Sequence, residues 1–324
     1  MKGREFQRLS TGIARRAMAL RSTVPSPPPY AIGDLQEVFA HPYFQDGNCA
    51  TRAAVMQASS QSKFDGENAY PWDNYFEMPL LPWLHQKHVL DLGCFNGGRT
   101  VAWSERYGFS SVCGVDVNDA YVMAATSFAA LRGCPASFQV GFAESLPVAN
   151  NTLDAITTFD VFEHVRDVRV ALAECWRVLK PDGVLIAVFP SYFQPNEHHL
   201  GLVTRLPGLQ LVFSGSTLVA AYHQIIAERG VDAEWYQRHS PALEPWERGN
   251  TLNGITFHRF RRELKRQAWV TVSVSHKPIG AVGRNSQRIP GLKWLAPLLR
   301  PLTYLPGAQE VFLHRIAVIL QKSS

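Results

Sequence analysis

Val89-Leu90-Asp91-Leu92-Gly93-Cys94-Phe95-Asn96-Gly97-Gly98-Arg99-Thr100 joins an apolar run to a glycine-rich turn and then to a helix start. Such a turn lets backbone approach a ligand closely, and the N–H groups opening the next helix are free to meet a carboxylate or phosphate. Working outward, strand-like runs recur at 88–93, 111–116, 136–141, 153–160 and 183–190, with helical stretches near 99–107, 119–132 and 168–180. Five apolar strands separated by helices predict an α/β fold, a parallel sheet covered on both faces. Asp116 closes the second run, 25 residues beyond Asp91. A carboxylate there can accept both hydroxyls of a ribose, as in other doubly wound nucleotide folds.

On either side of this rhythm the pattern changes. Residues 1–24 are basic and carry Phe6, Leu9, Ile13, Ala17 and Leu20 at helical spacing. They read either as a helix against an anionic membrane or partner, or as a frayed arm; the continuous apolar core of a signal peptide is absent. Pro25-Ser26-Pro27-Pro28-Pro29 reads as a stiff extended linker. Residues 35–85 look helical and loop-like and end in the aromatic cluster AYPWDNYF, 69–76. Residues 191–250 have no strand rhythm, 255–267 read as a helix, and 268–274 and 313–322 as two further strands. The Pro- and Arg-rich stretch 276–312 between those strands reads as a loop. The expected organisation is a basic arm (1–24), an N-terminal helical cap (25–85), a nucleotide-type core (86–190), a lid inserted after strand five (191–250) and a C-terminal completion of the sheet (251–324).

Composition narrows the class. With 324 residues, 46% of them hydrophobic and 18% charged, the chain can bury a core and is not a disordered one. No run approaches the roughly 18 apolar residues of a spanning helix. The net charge of +5 divides into +5 over 1–24, −6 over 25–275 and +6 over 276–324. The body is therefore acidic, which argues against a basic groove for nucleic acid. Five cysteines without a CxxC pair suggest neither a disulfide framework nor a zinc site, and reduced thiols suit a cytosolic protein.

A dinucleotide reading needs glycine at three places, but the frame here is Gly93, Phe95, Gly98, with Phe95 where backbone must meet a pyrophosphate. VLDLGCFNGG instead resembles the first motif of class I S-adenosylmethionine-dependent methyltransferases. The resemblance continues, in order, through GVDVND (114–119), VGFAESLPVANNTLDAI (140–156), FDVFEHV (159–165) and ECWRVLKPDGVLI (174–186). It is strongest to the group related to ubiquinone and menaquinone methyltransferases, which also holds enzymes of glycan and natural-product pathways. It implies a Rossmann-like seven-stranded sheet with the last strand antiparallel, and S-adenosylmethionine as cofactor.

Residue by residue, the resemblance places Gly93, Cys94, Phe95, Asn96 and Gly97 around the methionine part of the cofactor. It has Asp91 orienting that turn or meeting the amino group. Asp116 would take the ribose hydroxyls with Val117 beside the adenine, and Phe142, Ala143 and Glu144 would lie at the adenine edge. Asp160 would end the strand leading to the methyl group. Two positions depart from the family pattern: Phe95 replaces the middle glycine, and Phe142 replaces the acid that usually meets the adenine amino group.

An oxygen or nitrogen acceptor usually sheds a proton during methyl transfer, which calls for a base. His164, in the Glu163-His164 pair, sits just past a strand end and reads equally as a capping residue there; no clear third metal ligand accompanies the pair, and no metal is expected. FPSYFQPNEHHLG (189–201) is similar to a segment of glycan and secondary-metabolite methyltransferases, and on that match His199 is the first candidate base, reading equally as a loop histidine bonded to the backbone. Tyr192 and His198 of the same segment, with Tyr70, Trp72 and Tyr75, are the candidate acceptor contacts; the aromatic cluster reads alternatively as packing of the cap. The expected activity is O-methylation of a small-molecule or glycan hydroxyl, with C- or N-methylation of a natural product or quinone-like acceptor as the alternative, and a silent binding protein behind both. The basic segments 1–24 and 276–312 are candidate contacts with a membrane or partner.

Overall fold

The computed structural model describes residues 2–22, 49–200, 203–228, 252–282 and 291–323. Residues 25–29, expected to be a linker, residues 229–250 of the expected lid, and residues 283–290 lie outside them. Strands β1 (His88–Leu92), β2 (Ser111–Asp116), β3 (Ala136–Val140), β4 (Leu153–Phe159), β5 (Leu179–Phe189), β6 (Trp269–Val274) and β7 (Ile316–Lys322) form one sheet. Its order is β3-β2-β1-β4-β5-β7-β6. β1 to β5 run parallel, with Leu90 paired to Cys113 on one side and Ile156 on the other, and β7 is antiparallel to both its neighbours. This is the seven-stranded α/β sheet expected from the sequence.

The described helices of eight residues or more are α1 (Lys2–Ala19), α2 (Cys49–Ala69), α3 (Gly98–Tyr107), α4 (Asp119–Arg132), α5 (Val168–Val178), α6 (Gly215–Glu228), α7 (Phe257–Leu264) and α8 (Leu292–Leu299). Their starts are written in the sequence. Asn118 accepts the N–H of Ala120 to open α4, and Asp167 accepts those of Arg169 and Val170 to open α5. Alternation along the strands then decides which face each side chain joins. Leu90, Leu92, Leu185, Ala187 and Phe189 pack with Leu172 and Cys175 of α5 and Phe257 and Phe260 of α7. Their strand neighbours Val89, Val184, Ile186 and Val188 point the other way, onto Trp72, Leu80, Leu84 and Trp103.

The strand order reverses between β1 and β4, so the crevice at their carboxyl ends is where such a sheet receives a ligand. Helix α1 packs on α6, burying Thr11, Ala14 and Met18, the last two with Leu218, Ala221 and Tyr222, and its Arg15 pairs with Glu228. Of the apolar residues picked out by spacing, Leu9, Ile13 and Leu20 are exposed, whereas Ala17 packs against that cluster. The stretch 276–312, read as a loop from its prolines, is instead largely helical where described. It holds α8, a 3-10 turn at Arg300–Tyr304 and a helical turn at Gln309–Phe312. Pro301 opens the 3-10 turn, where a missing N–H matters least, and among the described residues of this stretch Pro297 alone lies inside an α-helix.

Candidate active site

A cavity of about 720 Å³ opens at the carboxyl ends of β1, β2 and β4. Its floor is the turn after β1. Gly93 holds a φ of +76°, and a Cβ there would lie 2.2 Å from Val161 Cγ2, so glycine is required on both counts. The N–H groups of Gly93 and Cys94 donate to the Val115 carbonyl, fixing the turn to β2. Helix α2 clamps it from outside: Asn96 Nδ2 donates to Ser59 Oγ (3.0 Å) and Ser60 Oγ to the Asn96 carbonyl (2.9 Å). Asp91 is buried beneath the turn and accepts the Thr100 hydroxyl. Burial pushes its carboxyl up to about 7 despite that bond.

Asp116 closes β2 with both oxygens engaged, Oδ2 by the Phe95 N–H (2.9 Å) and Oδ1 by the Asn118 N–H (3.0 Å). Burial raises its carboxyl, and those backbone donors oppose the rise. The Phe95 ring tilts against Tyr121 at 4.4 Å between centroids, with Lys63 Nζ of α2 5.4 Å from it. Val117 and Phe142 line the same cavity with over half of their surface exposed, an apolar pair beside a carboxylate. Glu144 also lines it, but its Oε1 accepts the N–H groups of Arg166 and Asp167 and so holds the loop before α5.

At the other end stand Asp160, Glu163, His164 and His199. Arg315, just ahead of β7, reaches in to pair with Asp160 (2.9 Å) and with Glu197 of the segment after β5 (3.0 Å). Burial raises the Glu197 carboxyl against the pull of Arg315, and burial with Asp160 raises Glu163 well above the usual range. Burial would lower Arg315, but Asp160 and Glu197 together raise it, so it stays charged. The rings of His164 and His199 lie 5.1 Å apart, and His164 Nε2 is 3.8 Å from Glu163 Oε1. Burial, aided by His164 and Arg315, pushes His199 down to about 3 and keeps its imidazole neutral. Phe95, Asp160 and His199 all hold positive φ without being glycine, each at about 1–3 kcal/mol of backbone strain. Three such residues on one cavity mark it as a site held in a disfavoured shape.

Of the residues singled out in the sequence, Asp91, Gly93, Cys94, Phe95, Asn96, Asp116, Val117, Phe142, Ala143, Glu144, Asp160, His164 and His199 share this cavity. Gly97 caps α3 just behind it. The candidate acceptor contacts do not line it. Trp72 is fully buried, stacked on Trp103 at 4.2 Å and donating to the Tyr107 hydroxyl. Tyr75 lies one layer back, edge-on to Phe159 and stacked on His314, and burial raises its hydroxyl. His198 is buried, with Nδ1 accepting the Leu200 N–H at 3.0 Å, and Tyr192 packs against the α1–α6 cluster. Tyr70 lines a second cavity. Sequence reasoning missed Lys63, Arg99, Tyr121 and Arg315. Arg99 stacks its guanidinium on Phe159 at 4.0 Å and reaches Glu67 at 3.4 Å. Its place directly after the glycine turn was the signal available for it; Arg315 carried none.

A glycine turn that a Cβ would fill, an acid ending β2 and exposed apolar faces flanking it suit a bound nucleoside joined to a charged amino-acid tail. Comparison with known proteins agrees. Residues 90–187 match the family model described as a methyltransferase domain. A ubiquinone biosynthesis O-methyltransferase of Mesorhizobium japonicum is 31% identical over 183 residues, 51% of this chain and 68% of that protein. Norajmaline N-methyltransferase of Rauvolfia serpentina is 26% identical over 213 residues, 62% of this chain and 71% of that protein. A second ubiquinone biosynthesis O-methyltransferase, from Rhizobium etli, is 34% identical, but the match covers only 30% of this chain and 38% of that protein. Among solved structures, an S-adenosylmethionine-dependent methyltransferase from Mesorhizobium loti aligns with a TM-score of 0.46 at 14% identity, over 75% of this chain and 94% of the other. The chain belongs to the class I S-adenosylmethionine-dependent methyltransferases.

Proposed function

We propose that the chain methylates a hydroxyl of a small molecule or glycan, with His199 receiving the proton. The observation that carries this reading is the His164–His199 pair on the wall of the cavity floored by the glycine turn. When bound, S-adenosylmethionine supplies an electrophilic methyl group on a sulfonium centre. Gly93 to Gly97 would cradle its methionine part, Asp116 the ribose, and Val117 and Phe142 the adenine; Asp116 would exchange its Phe95 bond for that role.

His199, neutral at physiological pH, offers a lone pair to the acceptor hydroxyl and so orients it. A hydroxyl becomes strongly acidic as its oxygen gains a carbon substituent, so even a base held near 3 can take the proton late in the step. That base could not deprotonate an ammonium acceptor, which favours a hydroxyl over an amine. His164 beside it, with Glu163 at 3.8 Å, offers the proton a way onward. Asp160 and Arg315 hold the wall in place. N-methylation is the second reading, supported by the length of the match to the norajmaline enzyme.

The test is His199→Ala, assayed by calorimetry with S-adenosylmethionine and by turnover on a panel of small hydroxyl and amine acceptors. Unchanged cofactor affinity with turnover down about 10²–10⁴-fold is expected. Turnover within about threefold of the parent would reject the base, and no binding at millimolar cofactor would reject methyl transfer altogether.

A further inference from the structure

A second cavity, of about 630 Å³, lies between the 70–77 segment and α8. Lys277, Lys293 and Arg300 line it, against one acid, Glu77. Lys277 Nζ donates to the Asn74 carbonyl at 2.7 Å, and Arg300 meets Glu77 at 3.3 Å. Lys293 has no such partner among the described residues. Beside these cations α8 buries Ala296 and turns its other face outward: Trp294 is 83% exposed and Leu298 73%, with Leu295 half exposed. Residues 294, 295 and 298 share one side of a helix. Tyr304 and Leu305 of the following turn are also more than half exposed. An exposed Trp–Leu–Leu face is more than the scattered apolar residues of an ordinary surface.

Charge says what covers it. From 276 to 309 the sequence contains no acidic residue. Glu310, the one acid between 276 and 324, is buried and takes bonds from Ser191, Phe257 and His258. The patch therefore sets an exposed apolar and aromatic helix face beside the cations Lys277, Lys293 and Arg300. That is the pairing an interfacial helix uses, with Trp and Leu at the acyl boundary and Lys and Arg at phosphate depth. No described helix is long and apolar enough to cross a membrane, so contact here is from one side.

We propose that α8 and the basic cavity form a docking site for an anionic phospholipid bilayer: Trp294, Leu295 and Leu298 enter the interface, and Lys293, with Lys277 and Arg300, receives a headgroup phosphate. The assignment is independent of the acceptor and of His199, since none of these residues lines the reaction cavity.

The test is flotation of the full chain with vesicles of phosphatidylcholine, with or without phosphatidylglycerol. Thermal melting would verify that each variant is folded, which these exposed positions should permit. Binding is expected to anionic vesicles and to weaken with salt. Lys293→Ala should loosen it about fivefold, one surface cation's share, and the double variant W294A/L298A by at least about tenfold. Equal binding to neutral vesicles, no vesicle binding, or full binding by the double variant would overturn the proposal. A concentration-dependent dimer lost in W294A/L298A would also overturn it, assigning the face to a second copy of the chain.

Discussion

Replacing Arg315 by methionine removes one buried cation from between two carboxylates, Asp160 at 2.9 Å and Glu197 at 3.0 Å. Breaking a buried pair from one side costs about 3–5 kcal/mol, because the partner is left charged and dry. Protonation sets a ceiling on that cost. Holding a carboxyl such as Glu197 neutral, against an ordinary glutamate value near 4.3, takes about 5 kcal/mol at pH 8 but only about 1 kcal/mol at pH 5. Losing Arg315 raises the folded-state pKa of Glu197 further above its unfolded value. The stability this group retains is therefore complete below the unfolded pKa and is lost as pH rises. The deficit of R315M against the parent must grow from pH 5 to pH 8. With an unfolding entropy of roughly 2.1 cal/mol/K per residue, it amounts to a Tm lowered by about 4–7 °C at pH 8 and about 1–2 °C at pH 5. Parallel melts of parent and variant at the two pH values decide it. Equal deficits at both would mean that Arg315 contributes packing and no charge compensation.

Asp91→Asn should flatten the pH dependence of the ligand-free chain. The Asp91 carboxyl is raised to about 7, so the stability it contributes is present at low pH and lost as pH rises through that value. The variant should gain on the parent by about 3 kcal/mol between pH 5 and pH 8, read as Tm, while binding S-adenosylmethionine more weakly by calorimetry. Gly93→Ala would put a methyl 2.2 Å from Val161 Cγ2 at a φ of +76°. Cofactor affinity should fall at least about tenfold, with part of it recovered in G93A/V161A because Val161 supplies the nearest contact; no recovery would place the damage in the backbone.

The sheet and the glycine turn were legible because their signals are local. Each strand is an apolar run closed by a turn, and Asp91, Gly93 and Asp116 sit at fixed places on consecutive elements. Arg315 was illegible for the opposite reason. It lies 155 positions beyond Asp160, and only the antiparallel return of β7 beside β5 brings the two together. Trp72 was drawn toward the acceptor because it stands in an aromatic cluster, yet stacking on Trp103 makes it core. Composition cannot tell which face of a short turn a ring will take. Prolines suggested a loop over 276–312, but Pro301 stands where a helical turn starts, which depends on phase rather than on content.

The placement of β7 between β5 and β6 has a consequence for how the chain is made. β6 leaves the ribosome first, yet within the sheet it pairs only with β7. Residues 269–274 therefore wait as an unpaired edge until residues 316–322 arrive to bridge them to β5. The same late strand brings Arg315. Five parallel strands can assemble beforehand, but the cavity wall at Asp160 cannot be completed. Closing the sheet and bringing Arg315 to Asp160 are one event in synthesis, and until residues 316–322 have emerged a nascent chain holds the glycine turn without that ion pair.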